Sequence, residues 1–289
     1  MITEIRAKTL LNYVPQPEHW FGLKYNMNLY RGCQHQCIYC DSRSDCYQIE
    51  NFADIQVKVN ALELLDQELG RKRIKGTIGT GSMNDPYMPL EARRNLTGQA
   101  LKIIARHRFP VHIITKSDLV LKDIETLVEI NHVYAAVSLT ITTLDDQLAK
   151  IIEPGAPPPS VRLKAIEALS NEGIITGVIM MPVLPFIEDN EDNIIEIVTR
   201  SAQSGVAYII PSFGMSLRSG QREYYYQKLD KHFPGLREKY VRSFGNNYQA
   251  PARNSQRLAE LFTELCERSE ISTRIIPYPS TRAKQLAFC

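Results

Sequence analysis

RGCQHQCIYCDSRSDCYQ, residues 31–48, holds four of the six cysteines of this 289-residue chain, at positions 33, 37, 40 and 46; the others are Cys266 and Cys289. Cys33, Cys37 and Cys40 stand four and three residues apart. On a helix these positions share one face, so a buried apolar stripe is the plainest reading. Gly32, Gln34, His35 and Gln36 give such a stripe little apolar support, and no capping residue precedes it. Thiolates at short spacing also bind zinc, which takes four ligands in a structural site and here would draw the fourth from His35 or Cys46. An iron–sulfur cluster is the third reading, since thiolates are its usual ligands and three of them leave one iron open to a small molecule.

Working outward, six β-rich runs occupy residues 23–30, 74–80, 110–115, 133–140, 174–181 and 206–211. Between them lie the amphipathic stretches 59–70, 91–107, 119–130, 160–173 and 190–205, several of which end at Gly or a basic residue. Strands separated by helix-length crossovers are parallel, which gives an α/β barrel or an open doubly wound sheet. In both, the site lies beyond the strand C-terminal ends. Polar clusters fall there five times in succession: RGCQHQCIYC, GSMNDPY, TKSD, SLTITTLD and MPVLP. Any one of these is ordinary turn chemistry, whereas five together point to a shared pocket. The division expected is an N-terminal extension (1–22), a main α/β domain (23–217) and a helical C-terminal extension (218–289), the last ending in a short β-like stretch at 272–280.

Hydrophobic residues make up 44% of the chain, enough for a substantial core, and the formal net charge is only +2. That balance does not by itself suggest a nucleic-acid or membrane-surface protein. From Arg218 onward, 13 Lys or Arg face 7 Asp or Glu. Tyr224, Tyr225 and Tyr226 with Arg218 and Arg222 there offer stacking plus charge, although a basic helical surface is commonly just solvated. No run approaches the roughly 20 apolar residues of a membrane span, and sparse, crowded cysteines fit a metal or redox site in a reducing, cytoplasmic setting.

The C-x3-C-x2-C spacing with Tyr39 before the last cysteine, directly after the first strand, resembles the signature of the radical S-adenosylmethionine (SAM) superfamily. NLYRGCQHQCIYC, GSMNDPYMPLE, ITKSD, VSLTITTLD, EPGAPPPSVRLKAIEALSNEGI and MPVLPFIED are most similar to its spore photoproduct lyase group, over most of residues 26–190. The resemblance implies a partial (β/α)6 TIM-type barrel. It implies a [4Fe–4S] cluster on Cys33, Cys37 and Cys40, with SAM on the fourth iron. One electron then cleaves SAM to a 5′-deoxyadenosyl radical, which abstracts a substrate hydrogen. A low-potential flavodoxin- or ferredoxin-like electron donor is implied too, and nucleic acid or a nucleotide is one substrate class among several.

Carried over residue by residue, Asn84 and Asp85 meet the SAM amino group, Lys116 pairs with its carboxylate, Ser138 bonds carboxylate or ribose, and Tyr39 lies beside the adenine. A carboxylate wants a cation and hydroxyl donors, and an ammonium wants acceptor oxygens. Plainer readings stand beside these: Asp85 before Pro86 as a turn initiator, Lys116 as an exposed residue after a strand. Glu153 and Arg162 flank the proline loop as an ion pair or SAM contacts, Gly177 offers close backbone approach, and His112 and His132 read as core or helix-end residues. The chain departs from the lyase group at Gly81, Ser82 and Met83, where the lyase has a hydrogen-donating cysteine near the SAM-binding Asp. A hydroxyl O–H bond is too strong for Ser82 to inherit that role.

Overall fold

The structure, a computed structural model, describes residues 1–15, 21–49 and 51–278. Cys289 and the end of the 272–280 stretch lie outside the described residues. The strands are β1 (Ile2–Ile5), β2 (Leu11–Tyr13), β3 (Tyr25–Met27), β4 (Tyr30–Arg31), β5 (Ile55–Lys58), β6 (Ile78–Gly79), β7 (Val111–Thr115), β8 (Ala135–Thr140), β9 (Ile175–Met180), β10 (Tyr208–Pro211), β11 (Gly214–Ser216) and β12 (Gln249–Pro251). Seven form one sheet in the order β10-β9-β8-β7-β6-β3-β2, parallel throughout from β10 to β3, with β2 antiparallel at the edge. β1, β5 and β4 make a small separate sheet, and β11 pairs with β12.

Every residue of β8 is buried, as expected of a central parallel strand covered on both faces. Its Ser138 stands in register with Ile114 of β7 and Gly177 of β9. Gly177 makes room for a protein side chain and not for a ligand: a Cβ there would collide with the ring of Tyr208. His112 is fully buried on β7, and His132 is exposed at a helix end.

The helices are α1 (Ala61–Arg71), α2 (Glu91–Arg94), α3 (Leu96–Arg106), α4 (Ile124–Asn131), α5 (Asp146–Ile152), α6 (Pro159–Asn171), α7 (Glu191–Gln203), α8 (Gln221–His232), α9 (Leu236–Phe244) and α10 (Ser255–Arg268). α1 packs on α3, α3 on α4, and α10 on α7. The stretch expected as one helix at 91–107 is broken at Asn95, where φ is +50°. Buried Glu91 causes the break, because its carboxylate accepts from Leu96 N and Thr97 N and so caps a new helix, α3. The run at 23–30 likewise divides, with β3 in the main sheet and β4 turned into the small one. α8 and α9 lay Tyr225, Tyr226, Tyr240 and Phe244 against Cys37, Ile38 and Tyr39, covering the back of the cysteine segment.

Candidate active site

Residues 33–40 form a loop, so the helical-stripe reading fails. Gly32 has φ +78°, and a Cβ on it would lie 2.5 Å from Asp54 O and 3.0 Å from Phe52 O. Only glycine serves there. Gln36 donates its amide to Cys33 O and accepts from Arg43 at 2.6 Å. Arg43 is itself stacked between Phe52 and Tyr224, its guanidinium 4.6 and 3.7 Å from the ring centres. Tyr225 and Tyr226 are buried, and Arg222 donates to the carbonyls of Leu217 and Asn247, so this basic, aromatic stretch braces the fold.

The proline loop after α5 grips the cysteine loop from the other side. Ile38 N donates to Ile152 O and Gly155 N to His35 O, both at 2.9 Å. His35 Nδ1 donates back to Gly155 O at 2.8 Å, while Nε2 faces Asp85 Oδ2 at 3.1 Å. Nδ1 of His35 is therefore engaged, while its buried Nε2 meets Asp85 at ion-pair distance and makes no hydrogen bond among the described residues.

These loops wall a cavity of about 720 Å³ beyond the C-terminal edge of the sheet, a size suited to a cofactor with part of a substrate. Cys33, Cys37, Cys40, Tyr39, Asn84, Asp85 and Lys116 all line it. Ser138 is not among the residues that line it. Its hydroxyl is fully buried between His112 Nε2 at 2.8 Å and the Tyr208 hydroxyl at 2.6 Å. Burial lowers the His112 pKa to about 3, so this is a neutral hydrogen-bonded trio inside the sheet. Sequence reasoning missed Thr80, a lining residue whose buried Oγ1 has no partner among the described residues, and the antiparallel β11–β12 pair, which supplies Met215, Gln249 and Ala250 to the rim. A strand-end hydroxyl and two three-residue strands give no distinctive sequence signal.

Asp85 reaches the cavity with its acceptor positions filled. Thr115 Oγ1 donates to it at 2.6 Å, Lys116 N at 2.7 Å and Tyr87 N at 2.8 Å, with His35 beside Oδ2. A carboxylate offers about four such positions. Burial alone would raise its pKa, but His35 and these hydrogen bonds outweigh it and bring it down to about 2. Because that value lies below the unfolded-state pKa near 4, the stabilisation is complete above roughly pH 4 and is lost as pH falls towards 2. Asp85→Asn is expected to cost roughly 2 kcal/mol at neutral pH, read as a lowered Tm, and to flatten the stability profile across that acid window.

Behind the thiols, Glu153 accepts the Tyr39 hydroxyl on Oε1, and its Oε2 lies 2.5 Å from Arg162 Nη2. Burial would raise the Glu153 pKa, and Arg162, then Lys116, hold it below the ordinary value. Burial pulls the Lys116 pKa down, but Cys37 and Glu153 push it up further, so the ammonium stays charged. Glu188, held by Thr142 Oγ1 and Leu184 N, is driven well up by burial.

Burial pushes the Cys33 thiol up to about 12 and raises Cys37 and Cys40 as well. Thiols raised in this way, two of them buried and Cys40 partly so, stay protonated unless a strongly cationic centre takes them as thiolates. Among the described residues no three His, Cys, Asp or Glu side chains draw together as a single metal ion requires. His35 is engaged as above, and Cys46 lies outside the cavity beside Ser44 Oγ at 2.9 Å and Arg218 Nη1 at 3.4 Å, so neither joins the three thiols. Cys266 is fully buried in α10. Three cysteines lining one cavity are a donor set of the kind that holds an iron–sulfur cluster.

The site is thus a cavity at the C-terminal edge of a parallel α/β sheet, lined by three cysteines and the Lys116 ammonium. The chain belongs to the radical SAM superfamily, whose family description matches residues 27–198. It is 28% identical over 284 residues to an uncharacterized protein of Mycobacterium tuberculosis, covering 96% of this chain and 83% of that one. A second uncharacterized protein, from Methanocaldococcus jannaschii, is 35% identical over 190 residues, 66% of this chain and 70% of its own. Among solved structures, a spore photoproduct lyase double mutant with bound AdoMet and dinucleoside spore photoproduct superposes with a TM-score of 0.69. It is 14% identical and the match covers 92% of this chain and 79% of that chain, which shows the shared fold. Membership makes the protein an enzyme and implies SAM, an iron–sulfur cluster and a reductant. Among the described residues no helix is long and apolar enough to cross a membrane.

Proposed function

We propose that the chain is a partial (β/α)6 barrel with a helical C-terminal extension, in which Cys33, Cys37 and Cys40 hold a [4Fe–4S] cluster and leave one iron for SAM. The observation that carries this reading is the convergence of the three thiols, Tyr39, Asn84 and Lys116 in one cavity. A cluster held by these three cysteines would supply the single electron for reductive SAM cleavage, and with it radical hydrogen-abstraction chemistry. Lys116 receives the SAM carboxylate. Asn84, whose Nδ2 donates to Tyr30 O at 2.7 Å, is left with its Oδ1 as an acceptor for the amino group. Tyr39 walls the adenine subsite. Asp85, with its acceptors filled, braces the loop instead of taking the ligand, and Ser138 drops out of the set.

Anaerobic reconstitution tests the reading. Brown iron–sulfur absorbance and release of 5′-deoxyadenosine with dithionite and SAM are expected; stoichiometric zinc without SAM cleavage sinks it. A flavodoxin- or ferredoxin-like protein in a reducing cytoplasm is the electron donor this reading calls for.

For substrate, a nucleotide or nucleic acid is the class to test first, since the rim carries Arg218 with its guanidinium 5.2 Å from the Tyr248 ring centre. A relative in Pseudomonas phage M6, 25% identical over 181 residues, 63% of this chain and 37% of its own, is a radical SAM Nalpha-GlyT isomerase. Thymine-dimer repair through a thiol hydrogen donor is not the reaction we assign. Among the described residues no thiol lines the cavity besides the three, and Ser82 is hydrogen-bonded to Asn26. An ultraviolet-damaged thymine dinucleotide is expected to give no turnover above a no-enzyme control.

A further inference from the structure

Lys116 has a carboxylate close by that it does not take. Its ammonium stands 3.9 Å from Glu153 Oε1, beyond hydrogen-bond length, and makes no hydrogen bond among the described residues although the side chain is largely buried. Glu153 is committed elsewhere. Its Oε1 holds the Tyr39 hydroxyl and its Oε2 holds Arg162. Arg162 cannot follow the carboxylate, because Nε donates to Pro157 O and Nη1 to Thr140 O, each at 2.8 Å, and the residue is 1% exposed. One buried anion is thus shared by two cations, and the geometry gives it to the one facing away from the cavity.

We infer that Arg162 and Tyr39 hold Glu153 off Lys116 and so keep the Lys116 ammonium available for the carboxylate of SAM. They are positioning residues for SAM binding. Glu153, released from Arg162, needs to move only about 1 Å to reach hydrogen-bond distance from Lys116. In a buried site such a pair is strong, and an incoming carboxylate would have to break it. The inference rests on the reading of Lys116 as the carboxylate's partner. A merely structural Glu153–Arg162 pair would change stability and leave SAM affinity alone.

SAM affinity is measured by equilibrium dialysis on reconstituted protein without reductant, at matched iron per chain. Lys116→Met is expected to weaken binding on the order of tenfold or more. If it binds SAM like the parent protein, the reading of Lys116 fails and the inference falls with it. With Lys116→Met weakened, Arg162→Gln is expected to weaken SAM binding on the order of tenfold, and Glu153→Gln/Arg162→Gln to return within about threefold of the parent, because the neutral amide no longer competes. Parent-like affinity in Arg162→Gln, or no recovery in the double variant, overturns the inference. Should Arg162→Gln fail to fold, Tyr39→Phe frees Glu153 Oε1 while keeping the ring. Weakened SAM binding in Tyr39→Phe that recovers in Tyr39→Phe/Glu153→Gln supports the inference, and equal affinities in the two overturn it.

Discussion

A Cys37→Ala variant, reconstituted anaerobically, is expected to lose the brown iron–sulfur absorbance and to release 5′-deoxyadenosine only at background. Cys37 is the most enclosed of the three thiols, packed with Ile38 and Tyr39 under α8 and α9, so neither water nor a neighbouring side chain can stand in for it. A cluster held by two thiolates is exposed to loss of iron, and the alanine fills the site without distorting the loop. Cys33→Ala and Cys40→Ala are expected to behave alike. Cys46→Ala is the discriminating control: its thiol lies outside the cavity, and iron content and SAM cleavage should match the parent. Cys266→Ala should cost only about 1 kcal/mol of stability by thinning the packing of α10 and leave both readouts intact. Retained absorbance in Cys37→Ala, or its loss in Cys46→Ala, would mean that the ligand set is wrong.

What made the cysteine site legible was local. Three cysteines within eight residues, an aromatic before the last, and a β-rich run just ahead are all read in one glance along the chain, and the strand-end rule then gathers Asn84, Asp85 and Lys116 from separate segments. The central strands were legible for a similar reason. β7, β8 and β9 are buried on both faces, so their composition must be β-branched and apolar nearly without a break.

What stayed hidden depends on pairs distant in sequence. Glu153 and Tyr39 are 114 residues apart, and nothing in either neighbourhood says that the phenol donates to that carboxylate. Ser138 was expected at the ligand from the family resemblance, and nothing near it in sequence says that His112 and Tyr208 meet its hydroxyl from two other strands. Asp85 misled in the opposite sense. It is at the site, as its position implied, but three donors and the His35 ring, from three segments, already surround it. Edge strands such as β1, β2, β11 and β12 are three or four residues long, too short for an alternation to register.

Gly155→Ala carries the second large effect, and it reaches the thiols without touching one. A Cβ on Gly155 would collide with Gln34 O and come within 2.9 Å of His35 Cα and 3.0 Å of His35 O. All three atoms are backbone of the cysteine loop, and that loop is held from behind by α8 and α9, so no flexible side chain can yield. The collision must be relieved by backing the proline loop away. That breaks the paired hydrogen bonds between Gly155 and His35 and loosens the contact between Ile38 N and Ile152 O. Overpacking of this kind costs roughly 1–3 kcal/mol, and leaving the His35 ring without its carbonyl partner adds to it. The expected result is a lowered Tm together with a several-fold drop in iron retained after gel filtration, since Cys33 and Cys37 flank the residues that lose this support. Gly70→Ala is the matched control. It lies in α1, its nearest neighbour would be His107 Cε1 at 3.7 Å, and the exchange should be neutral or stabilising by up to about 1 kcal/mol. A Gly155→Ala protein with the parent's Tm and iron content would show that the proline loop does not set the geometry of the thiols, and the grip inferred from His35, Ile38 and Gly155 would have to be abandoned.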